Sequence, residues 1–68
     1  MNIVAEMGCI VCELTYKDGE SVDAGAEIMV TESMKMQFPI QTPVAGVITY
    51  KVRTQDYVQE GDTLAEVV

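Results

Sequence analysis

The chain has no histidine and no tryptophan, and only four basic residues, two cysteines and two prolines among its 68 residues. Each shortage removes a class of function. Without histidine it lacks the commonest general base and metal ligand at neutral pH. Four bases against eleven acids leave a formal charge of −7. Such a surface repels phosphate backbones and anionic headgroups, so no nucleic acid and no membrane surface is expected as a partner. Basic patches on other proteins would be attracted. No apolar run approaches the ~20 residues of a transmembrane helix. No basic segment precedes an apolar stretch at the start, so no secretory signal is expected and a cytoplasmic location is. Nothing in the chain has the pattern of a catalytic triad, a phosphate loop or a carboxylate pair. A self-sufficient enzyme is not expected.

What the chain does have is apolar bulk, 49% of its residues, which is a globular composition. The only aromatics are Tyr16, Phe38, Tyr50 and Tyr57, so the core must be mostly aliphatic. A chain this short buries roughly 60% of the surface its unfolded form exposes. One modest domain over residues 1–68, monomeric and without a deep walled pocket, is the expectation. Cys9-Ile10-Val11-Cys12 has the spacing of a redox or metal pair. No second pair or histidine exists to complete a metal site. A redox pair usually opens a helix, whereas this segment reads as strand. Structural thiols are expected, with a reversible disulfide as the alternative.

No helical period appears anywhere, and short extended runs alternate with turn signals. Strands are expected at Ile3–Ala5, Ile10–Tyr16, a brief piece ending at Val22, Ile28–Glu32, Met36–Ile40, Gly46–Val52, Tyr57–Val58 and Leu64–Val68. In Ile28–Glu32, Ile28 and Val30 alternate with Met29 and Thr31, as in a half-buried strand. Pro39 and Pro43 lack a ladder donor and belong at edges or strand starts. Strands every ~8–12 residues indicate a sandwich or barrel, with two packed sheets as the economical solution. The pattern is also duplicated. A shift of 36 carries Val22, Gly25 and Ile28 onto Val58, Gly61 and Leu64, and Glu20 onto Asp56. A shift of 37 carries Ala5-Glu6-Met7-Gly8 onto Thr42-Pro43-Val44-Ala45. One residue is therefore missing from the second half, and the loop near Thr54 is where it is expected.

At the junction of the halves stands Glu32-Ser33-Met34-Lys35-Met36, with 34 residues before Lys35 and 33 after it. Met34-Lys35 would form the tip of a hairpin, although neither residue favours positive φ. Strain at such a turn points toward function. A lone lysine is ordinarily a solvated cation, but here exposed methionines flank it, and exposed apolar tips mark something that binds. A free lysine amine is largely protonated at neutral pH and needs burial or a cationic neighbour to act alone. A partner enzyme supplying an acyl adenylate and a base could acylate it. Met34 and Met36 would then be the adaptable contact which that partner reads.

Glu32-Ser33-Met34-Lys35-Met36 resembles the signature of the biotinyl (biotin carboxyl carrier) domain family, Glu-Ala/Ser-Met-Lys-Met. The resemblance covers essentially the whole chain. Ala5-Glu6-Met7-Gly8-Cys9 is similar to the family's Ala-Pro-Met-x-Gly, with Glu6 for proline and Cys9 for glycine. Lys17-Asp18-Gly19-Glu20-Ser21-Val22-Asp23-Ala24-Gly25 is similar to its Lys-x-Gly-Asp-x-Val-x-x-Gly. In the second half, Thr42-Pro43-Val44-Ala45-Gly46 and Gln55-Asp56-Tyr57-Val58-Gln59-Glu60-Gly61 repeat the theme. Small biotin/lipoyl attachment proteins look closest.

The resemblance implies a flattened β-barrel (a barrel-sandwich hybrid) of two four-stranded antiparallel sheets related by a pseudo-twofold. It implies biotin attached covalently to Lys35 by biotin protein ligase, with Glu32, Ser33, Met34 and Met36 read by that ligase or another partner. The carrier would shuttle an activated carboxyl group between a biotin carboxylase and a carboxyltransferase of a biotin-dependent carboxylase. Chemistry would stay with the partners, and the domain would be a non-catalytic subunit. Tethering would raise the effective concentration at both sites. A lipoyl carrier of a 2-oxo acid dehydrogenase or glycine cleavage type system shares the fold and lysine position, with lipoate on the lysine. Such domains typically carry Asp-Lys-Ala at the tip, and Met-Lys-Met speaks against that reading. An unmodified barrel-sandwich interaction module is the third reading.

Overall fold

Gly19, Gly25 and Gly61 each adopt a φ near +90°, a conformation that glycine reaches at no steric cost. With the turns around them they cut the chain into eight short strands. The computed structural model describes the whole chain, Met1–Val68. Its strands are β1 (Asn2–Val4), β2 (Cys9–Leu14), β3 (Ser21–Val22), β4 (Glu27–Ser33), β5 (Met36–Gln41), β6 (Gly46–Tyr50), β7 (Tyr57–Val58) and β8 (Thr63–Val67), with no helix. They form two four-stranded sheets, ordered β1-β8-β6-β3 and β5-β4-β2-β7, and every pairing is antiparallel. This is the flattened barrel that the resemblance implied. Pro39 lies opposite Val30 in β5, an edge strand, where its missing N–H costs no ladder bond.

One core of fourteen buried residues lies between the sheets. Val11, Ile28, Met29, Ile48 and Leu64 are completely buried in it. Tyr50 ties the sheets together: its hydroxyl donates to the Ile28 carbonyl and accepts from the Tyr16 N–H at 3.0 Å. β4 does not keep the simple alternation expected of it. Ile28 and Met29 are both buried, and Val30 is half-buried. A register irregularity between Glu27 and Met29 turns two successive side chains inward, as bulges do. Strand bounds differ from the expected ones by one or two residues; β2, for example, ends at Leu14 rather than Tyr16.

The internal repeat is visible bond by bond. Lys17 N–H donates to the Glu20 carboxylate and Arg53 N–H to that of Asp56, both at 2.8 Å. Gly25 N–H bonds to Thr42 O, and Gly61 N–H to Ala5 O. Gly19 N–H bonds to Ile48 O, and Gln55 N–H to Val11 O. Each pair is one contact seen twice about a pseudo-twofold.

The odd residue lies in a strand rather than a loop. Val11 corresponds to Ile48 at a shift of 37, but Glu13 and Leu14 correspond to Thr49 and Tyr50 at 36. The extra residue is therefore Cys12, at the bulge where β2 slips against β4 between Val11 and Glu13. It is not in the loop near Thr54.

The pairings also orient the molecule. β2 runs antiparallel to β4 with Ile10 opposite Glu32, so loop 5–8 lies at the same end as the β4–β5 turn. The β7–β8 turn lies there too, since Gly61 N–H reaches Ala5 O. β1 and β8 run between that end and the chain termini, where the Met1 amine donates to Val67 O at 2.7 Å.

Candidate functional site

β4 and β5 pair along their whole length, from Glu27↔Gln41 to Ser33↔Met36, which leaves Met34 and Lys35 as a two-residue turn. Buried Thr31 pins the ladder by donating to Phe38 O at 3.2 Å. Of the two two-residue turns that match the twist of the strands, type I′ requires positive φ at both central residues. Met34 and Lys35 comply, at φ 53° and 66°. That left-handed geometry costs a non-glycine residue roughly 1–2 kcal/mol, where Asn-Gly would cost far less. The turn is held in a strained form by the ladder behind it, which fixes the direction in which Lys35 leaves the barrel.

Lys35 stands exposed, with Met34 91% and Met36 60% exposed beside it. Ser33 and Glu32 are half-buried just below the tip. The structure therefore brings all five expected site residues to one end, with only the turn pair and Met36 fully in solvent. Lys35 is the only base in the three segments that meet there, loop 5–8, the β4–β5 turn and turn 59–62, whereas Glu6 and Glu60 are exposed acids among them. A groove of about 550 Å³ runs between edge strands β1 and β5 as far as loop 5–8, but Lys35 does not line it. The site is a protruding amine rather than a cavity, which suits a side chain that others act upon.

Cys9 is buried in the core and Cys12 half-buried at the bulge, both as free thiols. The Cys12 thiol lies 3.9 Å from a Glu32 carboxylate oxygen. Partial burial, then the Glu32 charge, push its pKa above the ordinary thiol value, which makes it a poor nucleophile. Both sit in β2, not at the helix start that a redox pair favours. The sequence reading passed over two exposed apolar residues of the same end: Ile10, opposite Glu32 on β2, and Tyr57, opposite Ile10 on β7. A comparison of the repeats could have flagged Tyr57, because its match in the first half is Ser21, but not Ile10, whose match is the equally apolar Val47.

A small all-β barrel that presents one lysine on a strained hairpin tip is the form of an attachment domain, which bears a covalently bound group for other proteins. A family profile described as "Biotin-requiring enzyme" matches residues 2–67. The chain belongs to this biotin/lipoyl attachment family. It is 33% identical over 67 residues to a "Biotin/lipoyl attachment protein" of Bacillus subtilis (strain 168), covering 97% of this chain and 92% of that one. It is 32% identical over 65 residues to the "Biotinylated protein TB7.3 homolog" of Mycobacterium leprae (strain TN), covering 94% and 92%. Among solved structures, it matches a single-chain, multi-domain long-chain acyl-CoA carboxylase with a TM-score of 0.86 and 31% identity, over 94% of this chain and 6% of that one.

Proposed function

We propose that the domain is a biotin carboxyl carrier with Lys35 as its attachment point. The observation that carries this reading is the exposed Lys35 amine, held out by a turn whose two central residues both take unfavourable positive φ. The residues fit the group: an amide to biotin needs an accessible primary amine and nothing from a pocket. A biotin protein ligase would present biotinyl adenylate. Lys35 Nζ, having lost a proton to the ligase, attacks the acyl carbon; the C–N bond forms, AMP departs, and the lysine charge is removed. Bound there, biotin would carry a carboxyl group from a biotin carboxylase to a carboxyltransferase. The role of this chain is positional: it holds Nζ at the apex, keeps the amine clear of other cations, and confines the arm near two partner sites at high effective concentration. A cytoplasmic location belongs to the same reading, supported only by the ATP that the ligation consumes.

The test is intact mass after incubation with ATP, biotin and a biotin protein ligase, beside a parallel reaction with lipoate and its ligase. One biotinyl addition is expected on the native domain and none on Lys35→Arg, with equal thermal midpoints. A lipoyl addition without a biotinyl one would move the protein to acyl or aminomethyl transfer. No addition of either kind to folded protein would reduce Lys35 to a surface cation.

A further inference from the structure

The pseudo-twofold supplies an internal control. Where the two halves carry the same chemistry at matching positions, the barrel needs it. Where they differ at exposed positions, the barrel does not. At the lysine end two coupled differences stand out. Tyr57 on β7 is 67% exposed, while its mate on β3 is Ser21, and Gly8 has Ala45 as its mate. A Cβ at Gly8 would come within 3.0 Å of the Tyr57 hydroxyl, so the ring lies against the backbone of loop 5–8. Gly8 is not at positive φ, so the backbone there does not call for glycine. Its missing Cβ makes room for the ring. An exposed aromatic has thus been given a seat that the fold does not require.

We propose that Tyr57, with Ile10 and Glu32 beside it in one row across the sheet, is the recognition surface for the ligase that acylates Lys35. This rests on the carrier reading above. The carboxylase and carboxyltransferase work at the far end of the arm, whereas the ligase must reach Nζ itself before any arm exists. Its surface therefore closes over the residues around the tip. A standard interface covers ~800 Å² per partner, a disc of about 16 Å radius. With ~3.4 Å per residue along a strand and ~4.8 Å between strands, Tyr57 lies about 14 Å from Lys35 across the sheet, inside that disc. The row offers an aromatic anchor and a half-buried carboxylate in Glu32, whose mate is Val68; Ile10 between them (41% exposed) has an equally exposed apolar mate in Val47 (39%) and serves only as the floor of the row. The complementary ligase surface is an apolar recess for a phenol ring with a basic residue beside it. Aromatic anchors of this kind dominate interface energetics.

The experiment is steady-state kinetics of biotin addition by a biotin protein ligase to the native domain, Tyr57→Ser, Tyr57→Phe and Val47→Thr, with the domain as varied substrate. Val47 is the twofold mate of Ile10, remote from Lys35. Tyr57→Ser is expected to raise KM about tenfold or more with kcat and thermal midpoint close to native. Tyr57→Phe should retain most of the affinity, and Val47→Thr should match the native domain. A native KM for Tyr57→Ser overturns this surface and leaves the carrier reading intact. So does a defect that appears only when the ready-biotinylated Tyr57→Ser domain is offered to a biotin carboxylase, which would give the surface to that enzyme. Failure of the native domain to accept biotin overturns both.

Discussion

Tyr50 does in one side chain what the small core alone does weakly. Its hydroxyl joins β6 of one sheet to β4 in the other and to Tyr16 just past the end of β2, and its N–H donates to the Asp18 carboxylate at 2.7 Å. Tyr50→Phe should cost about 1–2 kcal/mol, because it leaves the part-buried Tyr16 N–H without its acceptor; denaturant unfolding measures this. Burial raises the Tyr50 pKa above the usual tyrosine value, so the folded state holds this proton more tightly than the unfolded chain. The resulting stability is complete below pH ~10, the unfolded value, and is lost as pH rises from there through the folded value. The native protein should lose more stability across that window than Tyr50→Phe, measured as the difference between the two unfolding curves. Residues of this kind were not legible in the sequence, since the partners of Tyr50 lie 22 and 34 positions away. Lys35 was legible because everything that singles it out, the flanking methionines and the hairpin signals, is local.

The β4–β5 hairpin illustrates a conflict between local preference and place. Asparagine is at home in the first central position of this turn type, where Met34 sits. Met34→Asn is expected to stabilise the domain by about 0.5–1 kcal/mol, the relief of part of the left-handed penalty. It should also slow biotin addition by removing an exposed methionine from the tip. A thermal melt and a ligation time course together check the pair of outcomes; a variant both more stable and equally fast would remove Met34 from recognition. Strand existence was readable from turn residues and alternation, and so was the hairpin. The bulge was not. The repeat has recognisable anchors at Gly8 and Glu20 with Cys12 between them, and an extra residue anywhere in that interval gives the same two shifts. A loop is the natural first choice for an insertion, yet a bulge within β2 accommodates it while keeping both flanking faces in register.

At the scale of the whole molecule, charge and symmetry act together. With a net charge of −7, association with a basic ligase surface should be steered electrostatically. Raising ionic strength from ~0.05 to ~0.5 M, which shortens the screening length several-fold, should lower kcat/KM for biotin addition markedly while leaving kcat unchanged. An unaffected kcat/KM would mean that apolar contacts alone direct the encounter. The two-sheet architecture was foreseeable because each half repeats the same turn spacing, but the manner of interlocking was not: each half contributes strands to both sheets, and only three-dimensional pairing reveals that.

The twofold has one further effect. It maps the lysine turn onto the place where β8 stops and β1 starts, the end marked by the Met1–Val67 hydrogen bond. The proposed attachment point and the two chain ends thus occupy opposite poles of a body about 30 Å long. Whatever polypeptide is spliced to either terminus hangs behind the barrel, so the unit can be mounted on scaffolds of any size without shading the arm it carries.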